Sequence, residues 1–207
     1  MDSNKKNIYR TDEKQPAGEQ PDFYANKFIG NFEIRRILNE SDSKEQEMYH
    51  VTFKDGAMTK IHTHESEQIL IATNSSVDST SDTVGKGFVV FIEKGGNDGG
   101  GDTTSEEAGY DEDNLQFSIS KTIFLDKIGD TVCIPPNVLH CHGCAPQGVD
   151  FSHIAIRRST LDNKQQAKSL WEYNVEDMKK VMGVIDDNKV STILKELHVQ
   201  IRKAISG

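Results

Sequence analysis

Hydrophobic residues in the first three-quarters of the chain recur at the period of two that is typical of β-strands. Runs rich in β-branched and aromatic residues are separated by turn signals such as Lys54-Asp55-Gly56, so each run predicts a short strand. The predicted strand regions are 28–38, 47–64, 69–73, 87–93, 115–125, 130–135 and 151–157. Many short strands of this kind predict an all-β fold, either a barrel or a sandwich.

After residue 157 the apolar residues recur at three- and four-residue steps instead, which indicates helices over 163–185 and 189–205. In the second of these stretches one face is formed by Ile193, Leu194, Leu197, Ile201 and Ala204. We expect this C-terminal α-helical extension to pack on the strands or on a twin subunit, anchored by Trp171 and Tyr173. Binding of a separate partner by these helices is the alternative.

Two segments lack the aliphatic residues that a core requires. Residues 1–27 are polar and predict a disordered or extended N-terminal segment, and residues 94–114 are rich in Gly, Asp, Glu and Ser and predict a flexible insertion. The acidic residues of that insertion do not match the spacing of a 12-residue EF-hand loop. The predicted organisation is therefore an N-terminal segment at 1–27, a barrel at 28–157 and a helical extension at 158–207.

Composition narrows the classes of partner. The 207 residues carry a net charge of −9, and lysine and arginine form no cluster longer than a short pair, which argues against nucleic acid. No apolar run approaches the ~20 residues that span a bilayer, and the first residues lack the apolar core of a signal peptide. The 3 cysteines do not form a secretory disulfide framework, so we expect a soluble, cytoplasmic protein.

Two distant stretches each place a pair of histidines one residue apart. In a strand, residues two apart project from the same face, so His62 and His64 point together, and Gln68 follows as an oxygen donor. In the second stretch, a turn predicted at Pro135-Pro136-Asn137 presents His140 and His142 on a common face. Three imidazoles and one amide oxygen suit a divalent transition ion such as Fe, Mn, Ni, Co or Zn.

The second stretch also contains Cys141 and Cys144 at the spacing of a C-x-x-C motif, which suggests structural zinc or redox chemistry as an alternative. A structural zinc site usually requires a second pair of ligands, and the one remaining cysteine is Cys133. In a strand, Cys141 also faces away from the neighbouring histidines. We therefore expect these thiols to be small packing residues.

The two histidine stretches resemble the two conserved motifs of the cupin superfamily. The first matches G-x5-H-x-H-x3-E/Q through Gly56, His62, His64 and Gln68. The second matches G-x5-P-x-G-x2-H through Gly129, Pro135 and His140, with Asn137 in place of the inner glycine and Cys144 in place of the final asparagine. The glutamine at position 68 replaces the more widespread glutamate.

In detail, the pattern resembles the small single-domain cupins related to carboxymuconolactone decarboxylase-associated cupins. That resemblance implies a double-stranded β-helix, the cupin jelly-roll barrel, which is often a homodimer. It also implies a metal held by His62, His64, Gln68 and His140.

Two further histidines are candidate catalytic residues, because the parity of their strands turns His142 and His153 towards the same interior. Either imidazole is a candidate to contact substrate or to transfer a proton. For His153 a hydrogen-bonded core histidine is the alternative. The leading functional hypothesis is a metal-dependent enzyme for a small oxygenated substrate, of dioxygenase, isomerase or lyase type. The alternatives are a non-catalytic module that binds a small ligand or metal, and a barrel with a vestigial site.

Overall fold

The computed structural model describes residues 24, 26–38, 42–73, 85–95, 115–146, 149–162 and 165–206. The predicted N-terminal segment, except Tyr24 and residues 26–27, lies outside the described residues. The predicted insertion at 94–114 also lies outside them, except for its first two residues, which end a strand.

The described residues form two antiparallel sheets. The larger sheet contains seven strands: β1 (Phe28–Ile29), β4 (Met58–Thr59), β5 (His62–His64), β7 (Gly87–Gly95), β8 (Gln116–Leu125), β10 (Leu139–Cys144) and β12 (Ser169–Trp171). The smaller sheet contains five strands in the order β2 (Phe32–Leu38), β3 (Gln46–Phe53), β11 (Phe151–Arg158), β6 (Gln68–Thr73) and β9 (Thr131–Ile134). The predicted strands are present, and the two sheets together form the predicted jelly-roll barrel.

The interior of the barrel is filled by alternate residues of both sheets. In β6, buried and partly exposed positions alternate, so that Gln68, Leu70 and Ala72 share the inner face. Leu70 and Ala72 belong to the same apolar cluster as Val51 and Phe151 of the small sheet and Val89 of the large one. The period of two in the sequence therefore reports which side chains enter the barrel.

Tight turns set the direction of the strands that carry the histidines. Gly56 and Gly129 both adopt positive φ angles, 70° and 88°, which glycine accepts without steric cost. Asn137, which replaces the inner glycine of the second motif, also has a positive φ, 62°, in the left-handed region that asparagine tolerates. Gly56, Gly129 and Asn137 all belong to the two histidine motifs. The spacing of each motif therefore sets where the chain turns as well as where the histidines lie.

Two helices cover the outer face of the seven-stranded sheet, namely α1 (Val175–Met182) and α2 (Asp187–Ile205). Asn174 and Asp186 cap their N-termini, and each side chain accepts a backbone N–H three residues on. A second apolar cluster lies beneath the helices. It includes Phe88, Val90, Cys141, Met178, Leu197 and Ile201. Of the expected alternatives for the helical extension, the structure shows packing on the barrel.

The beginning of the C-terminal extension differs from its predicted helical structure. Residues 169–171 form β12, which pairs with β5, and the first helix starts only at Val175. Trp171 is buried at the end of this strand, whereas Tyr173 is exposed. Ala167, Leu170 and Trp171 are spaced at helical intervals, but the open edge of β5 offers backbone hydrogen bonds that favour a strand.

None of the described helices is long and apolar enough to cross a membrane.

The packing of α2 on the sheet predicts a large stability difference between two substitutions. Leu197 is fully buried, so Leu197→Ala should lower the free energy of unfolding by about 2–5 kcal/mol through lost burial and a residual cavity. Val199 lies two residues on and is 54% exposed, so Val199→Ala should change it by less than about 0.5 kcal/mol. Urea denaturation measures both, and equal effects of the two substitutions would contradict this packing.

Candidate metal centre

Three histidines meet at the pairing of β5 with β10. His62 lies directly opposite His140 in the antiparallel register, and their ring centroids are 4.2 Å apart. His64 projects from the same face of β5, with its ring 4.8 Å from that of His62 and 5.4 Å from that of His140. One nitrogen from each ring can be chosen so that all three lie within 4.8 Å of one another. These three histidines can hold a divalent metal ion.

Gln68 reaches the histidines from the opposite sheet. Its side-chain Oε1 lies 3.2 Å from Nε2 of His140. The structure thus brings together all four residues of the predicted ligand set, from strands β5, β6 and β10. Because the donors come from both sheets, the site depends on the closure of the barrel.

Hydrogen bonds to the backbone orient two of the imidazoles. Nδ1 of His62 donates to the carbonyl oxygen of Lys60, and Nδ1 of His140 donates to that of Val138, both at 2.8 Å. A carbonyl oxygen only accepts, so Nδ1 carries the proton and Nε2 keeps its lone pair. This tautomer is the one in which Nε2 can bind a metal.

His64 is oriented from β12 instead. Its Nδ1 lies 2.7 Å from Oγ of Ser169, which also accepts a hydrogen bond from Arg157. The Nε2 atom of His64 is buried and has no hydrogen-bond partner among the described residues. A buried nitrogen without a partner is costly unless it binds something, so a metal ion is a suitable occupant.

Burial keeps these rings neutral. Loss of hydration lowers the pKa of His62 and of His64 well below 6.5, and the neighbouring imidazoles add to the effect. Burial likewise lowers the pKa of His140 to about 4. Neutral imidazoles are the form that binds metal, so the three rings need no deprotonation near neutral pH to serve as ligands. The donor set therefore fits a divalent transition metal, without selecting one among Fe, Mn, Ni, Co and Zn.

A cavity of about 240 Å³ opens in front of the site. His62, His64, Gln68 and His142 lie on its wall, and Trp171 covers one side. The indole ring of Trp171 stacks on His62, with the centroids 4.0 Å apart and the planes 8° from parallel. Phe28, Ile34, Val51 and Ala155 supply an apolar wall. The cavity is smaller than the ~300–1,000 Å³ of pockets for drug-sized ligands, so it suits a small molecule.

A buried ion pair links two strands of the smaller sheet beside the cavity. Glu47 is 2% exposed, and its carboxylate accepts hydrogen bonds from Nε and Nη2 of Arg157 at 2.9 and 2.7 Å. The same carboxylate accepts from the hydroxyl of Tyr49 at 3.1 Å, and that hydroxyl accepts from Arg36. Burial, followed by the charge of Glu47, raises the pKa of Tyr49 to about 12, so its hydroxyl stays protonated.

The two predicted catalytic histidines occupy different positions. His142 lies on the cavity wall with its ring 5.7 Å from that of His62, and its Nδ1 has no partner among the described residues. His153 lies behind His142, with the ring centroids 5.1 Å apart, and it does not line the cavity. It is fully buried and stacks against Phe53 and Phe151, each at 5.6 Å. Neither ring nitrogen of His153 has a hydrogen-bond partner among the described residues.

The cysteines of the C-x-x-C motif lie apart from this centre. Cys141 belongs to the apolar cluster under the helices, whereas Cys144 belongs to the cluster inside the barrel. Burial raises the pKa of both thiols, to about 11 for Cys144, so neither is a thiolate near neutral pH. These thiols are packing residues, as expected from the parity of the strand.

Comparison with known proteins gives matches at the level of structure. No protein-family model matches the chain, and no curated protein matches it. The chain is similar to a cupin-like protein from Thermotoga maritima, which is 28% identical, with 76% of this chain and 89% of that chain covered and a TM-score of 0.45. It is also similar to KdgF from a Halomonas species, at 16% identity, 65% and 84% coverage and a TM-score of 0.38. A third similar structure is the polyketide cyclase RemF from Streptomyces resistomycificus, at 15% identity, with 74% of this chain and 78% of that chain covered and a TM-score of 0.44.

Two facing antiparallel sheets enclose the histidines of both motifs, and helices cover the outer face of one sheet. The fold is the jelly-roll barrel with a helical extension that the sequence predicts. Around the histidine centre lie residues that the sequence analysis missed as part of the site, namely Lys27, Arg36, Glu47, Tyr49, Arg157, Ser169 and Trp171. One signal in the sequence could have indicated two of these residues. Ser169 and Trp171 are two residues apart, so in a strand they project from the same face.

The hydrogen bond to His64 predicts a positioning role for Ser169. Ser169→Ala should weaken metal binding by roughly 10–100-fold, the usual effect of losing a group that orients a metal ligand. Competition with a chelator of known affinity measures the change. Ser159→Ala is the matched control, because that buried hydroxyl bonds to the backbone of Lys44 and touches no histidine of the centre. Equal metal affinity of the two variants would contradict the role.

Burial of His153 predicts acid sensitivity of the metal-free protein. Burial lowers its pKa from 6.5 to about 3, so below pH 6.5 the unfolded chain binds the proton first and stability falls as the pH falls. His153→Met lacks this proton site. As the pH falls from about 6 to 4, the free energy of unfolding of the native protein should therefore decrease relative to that of His153→Met by roughly 1.4 kcal/mol per pH unit. Urea denaturation across that interval measures the difference, and a difference independent of pH would refute the assignment.

Proposed function

We propose that this protein is a metal-dependent enzyme that acts on a small oxygenated organic substrate through a site of three histidines and one glutamine. The observation that carries the proposal is the convergence of three neutral imidazoles on one point, with the unpartnered Nε2 of His64 among them. His62, His64, Gln68 and His140 are the proposed ligands. A divalent ion bound there supplies Lewis-acid polarisation of an oxygen atom, and a redox-active ion also supplies electrons for chemistry with O2.

The residues of the cavity would position the substrate and exclude water. The indole of Trp171 and the apolar wall shield the reacting end, and the small volume limits the substrate to a few carbon atoms beyond its polar groups. Gln68 adds no charge, so the protein ligands leave the full positive charge of a bound ion in place. Such a site favours a substrate that brings an oxygen donor.

His142 is the proposed proton-transfer residue, because it faces the cavity and its Nδ1 has no partner among the described residues. Its backbone N–H is held by the hydroxyl of Thr59 at 3.0 Å, which fixes the strand beneath it. His153 remains a predicted catalytic residue, but its position behind His142 means that it would act through that ring as a positioning residue.

The proposed reaction is of dioxygenase, isomerase or lyase type, because one fold supports many chemistries. Likewise, the cytoplasmic location, the homodimer and the specific likeness to carboxymuconolactone decarboxylase-associated cupins are predictions from the sequence. A non-catalytic module that binds a small ligand is the second candidate. The same cavity supports it, and retention of an unaltered metabolite through purification would favour it over turnover.

Metal analysis of the untagged protein tests the proposal. We expect about one divalent ion per chain in the native protein, and near-complete loss of it in His62→Ala and in His140→Ala. Each substitution removes one of the three nitrogen ligands that a site of this type requires. Inductively coupled plasma mass spectrometry measures the occupancy.

His50→Ala is the matched control, since that imidazole bonds to Thr73 and lies outside the centre. It should keep the native metal content. Full occupancy in both ligand variants would rule out the proposed site, whatever the activity of the protein.

A further inference from the structure

The side chain of His64 differs from the other two histidines of the centre in what its Nδ1 atom contacts. Nδ1 of His62 and of His140 each face a backbone carbonyl oxygen. Nδ1 of His64 instead faces the hydroxyl of Ser169 at 2.7 Å and Nη1 of Arg157 at 3.3 Å. Burial lowers the pKa of His64 well below 6.5, so the ring carries one proton. These two neighbours decide which of its nitrogens holds that proton.

Arg157 can only donate to the imidazole. A guanidinium group stays protonated in proteins and has no acceptor atom, so in the contact with His64 the Nδ1 atom accepts. In a neutral imidazole one nitrogen is a donor and the other is an acceptor, so an accepting Nδ1 places the proton on Nε2. Arg157 therefore favours in His64 the tautomer opposite to that of His62 and His140.

The hydroxyl of Ser169 favours the same tautomer. Its oxygen accepts from Nη1 of Arg157, and its own proton needs an acceptor. Within the part of the chain that the structure describes, the only other hydrogen-bond contact of this hydroxyl is Nδ1 of His64. With the ring proton on Nε2, both donors around Nδ1 have an acceptor. With the ring proton on Nδ1, the hydroxyl proton lacks one, and the N–H groups of His64 and Arg157 face each other.

Glu47 holds the guanidinium in this position. Its carboxylate is 2% exposed and accepts from Nε and Nη2 of Arg157, so Nη1 is the nitrogen left for Ser169 and His64. Glu47 and Arg157 lie directly opposite each other in the register of β3 and β11. The direction of the Nη1 group is therefore set by the pairing of two strands.

From this arrangement we propose that Arg157 and Ser169 hold the proton of His64 on Nε2 in the metal-free protein, and that Arg157 thereby lowers the metal affinity of the centre. Nε2 is the buried nitrogen that has no partner among the described residues, and with the proton on it His64 is a donor and not a ligand. Binding of an ion at Nε2 requires the proton to move to Nδ1, so the ring neither gains nor loses a proton.

Ser169 and Arg157 respond differently to that move. The hydroxyl of Ser169 can turn and accept from the N–H at Nδ1, whereas Arg157 must give up its hydrogen bond to that atom. Removal of Ser169 therefore weakens metal binding, and removal of Arg157 strengthens it. The effect on metal binding rests on the proposed function, but the position of the proton is a property of the metal-free protein and is measured there.

NMR spectroscopy of the metal-free protein tests the position of the proton. Long-range correlation of ring nitrogens with ring hydrogens distinguishes the two neutral tautomers, and His62 and His140 are internal references for the form protonated on Nδ1. Absence of a signal in His64→Gln assigns the signal of His64. We expect His64 to show the Nε2–H pattern, while both references show the Nδ1–H pattern.

The double variant Glu47→Met/Arg157→Met tests the role of Arg157. It removes both charges of the buried pair, because apolar replacement of a whole pair is often tolerated, whereas loss of one partner leaves a buried charge. We expect a larger fraction of His64 protonated on Nδ1. Zinc binding, measured by competition with a chelator, should be about tenfold or more tighter, the usual effect of a hydrogen bond from a charged group.

Lys54→Met/Asp150→Asn is the matched control. This ion pair, at 2.9 Å, joins the residue after β3 to the residue before β11, at the other end of the same two strands. Neither residue contacts a histidine of the centre. The control should keep the native tautomer of His64 and the native zinc affinity.

A proton on Nδ1 of His64 in the native metal-free protein overturns the inference, and this measurement needs no variant. A tautomer or a zinc affinity that stays unchanged in the folded double variant overturns the role of Arg157. Failure of the native protein to bind zinc counts against the proposed metal function, and the spectrum of the metal-free protein still decides the position of the proton.

Discussion

The pairing of His140 with His62 across β10 and β5 is the constraint on which the rest of the site depends. Side chains of a strand alternate between faces, so a shift of the register by one residue would turn one of the two imidazoles out of the barrel. Close packing restricts such a shift. A Cβ atom on Gly143 would lie 2.4 Å from the backbone oxygen of Ala57, so only glycine lets β10 approach β4 at the observed register. The absence of a side chain at position 143 thus fixes the relative positions of the proposed ligands, which come from two distant segments.

A second consequence of this register is the concentration of imidazoles in one interior. Five of the 7 histidines, namely His62, His64, His140, His142 and His153, are buried. Only a few of their polar atoms bond to the protein, while the Nε2 of His64 and both nitrogens of His153 have no partner among the described residues. Buried polar atoms without partners oppose folding, and a metal bound by the proposed ligands would offset this cost at those positions alone. The metal-free barrel is therefore expected to be less stable than the apolar clusters around it suggest.

The sequence indicated the strands, the interior parity and the four proposed ligands, because each rests on local rules of period and spacing. It did not indicate the cations of the cavity, since Lys27, Arg36 and Arg157 come from separate segments and form no cluster along the chain. Lys27 lies in a polar segment that gave no reason to expect a place in the pocket. Strand parity correctly turned His153 inward, but parity contains no information on depth, and His153 lies one ring behind the cavity wall. The sequence analysis did not predict the strand at Ser169–Trp171, because the local pattern there is helical. The strand forms through tertiary pairing with β5, which outweighs that local pattern.

The carboxylate of Glu172 joins three elements at once. It accepts the backbone N–H of Ile61 at 3.1 Å, one residue before the first metal-ligand candidate, and it contacts Nε2 of His198 on α2 at 2.8 Å. The next residue back, Trp171, lies against His62. The C-terminal region is thus part of the wall of the centre rather than an appendage. A barrel grafted without its C-terminal extension would lack Ser169 and Trp171, and one side of the cavity would be open.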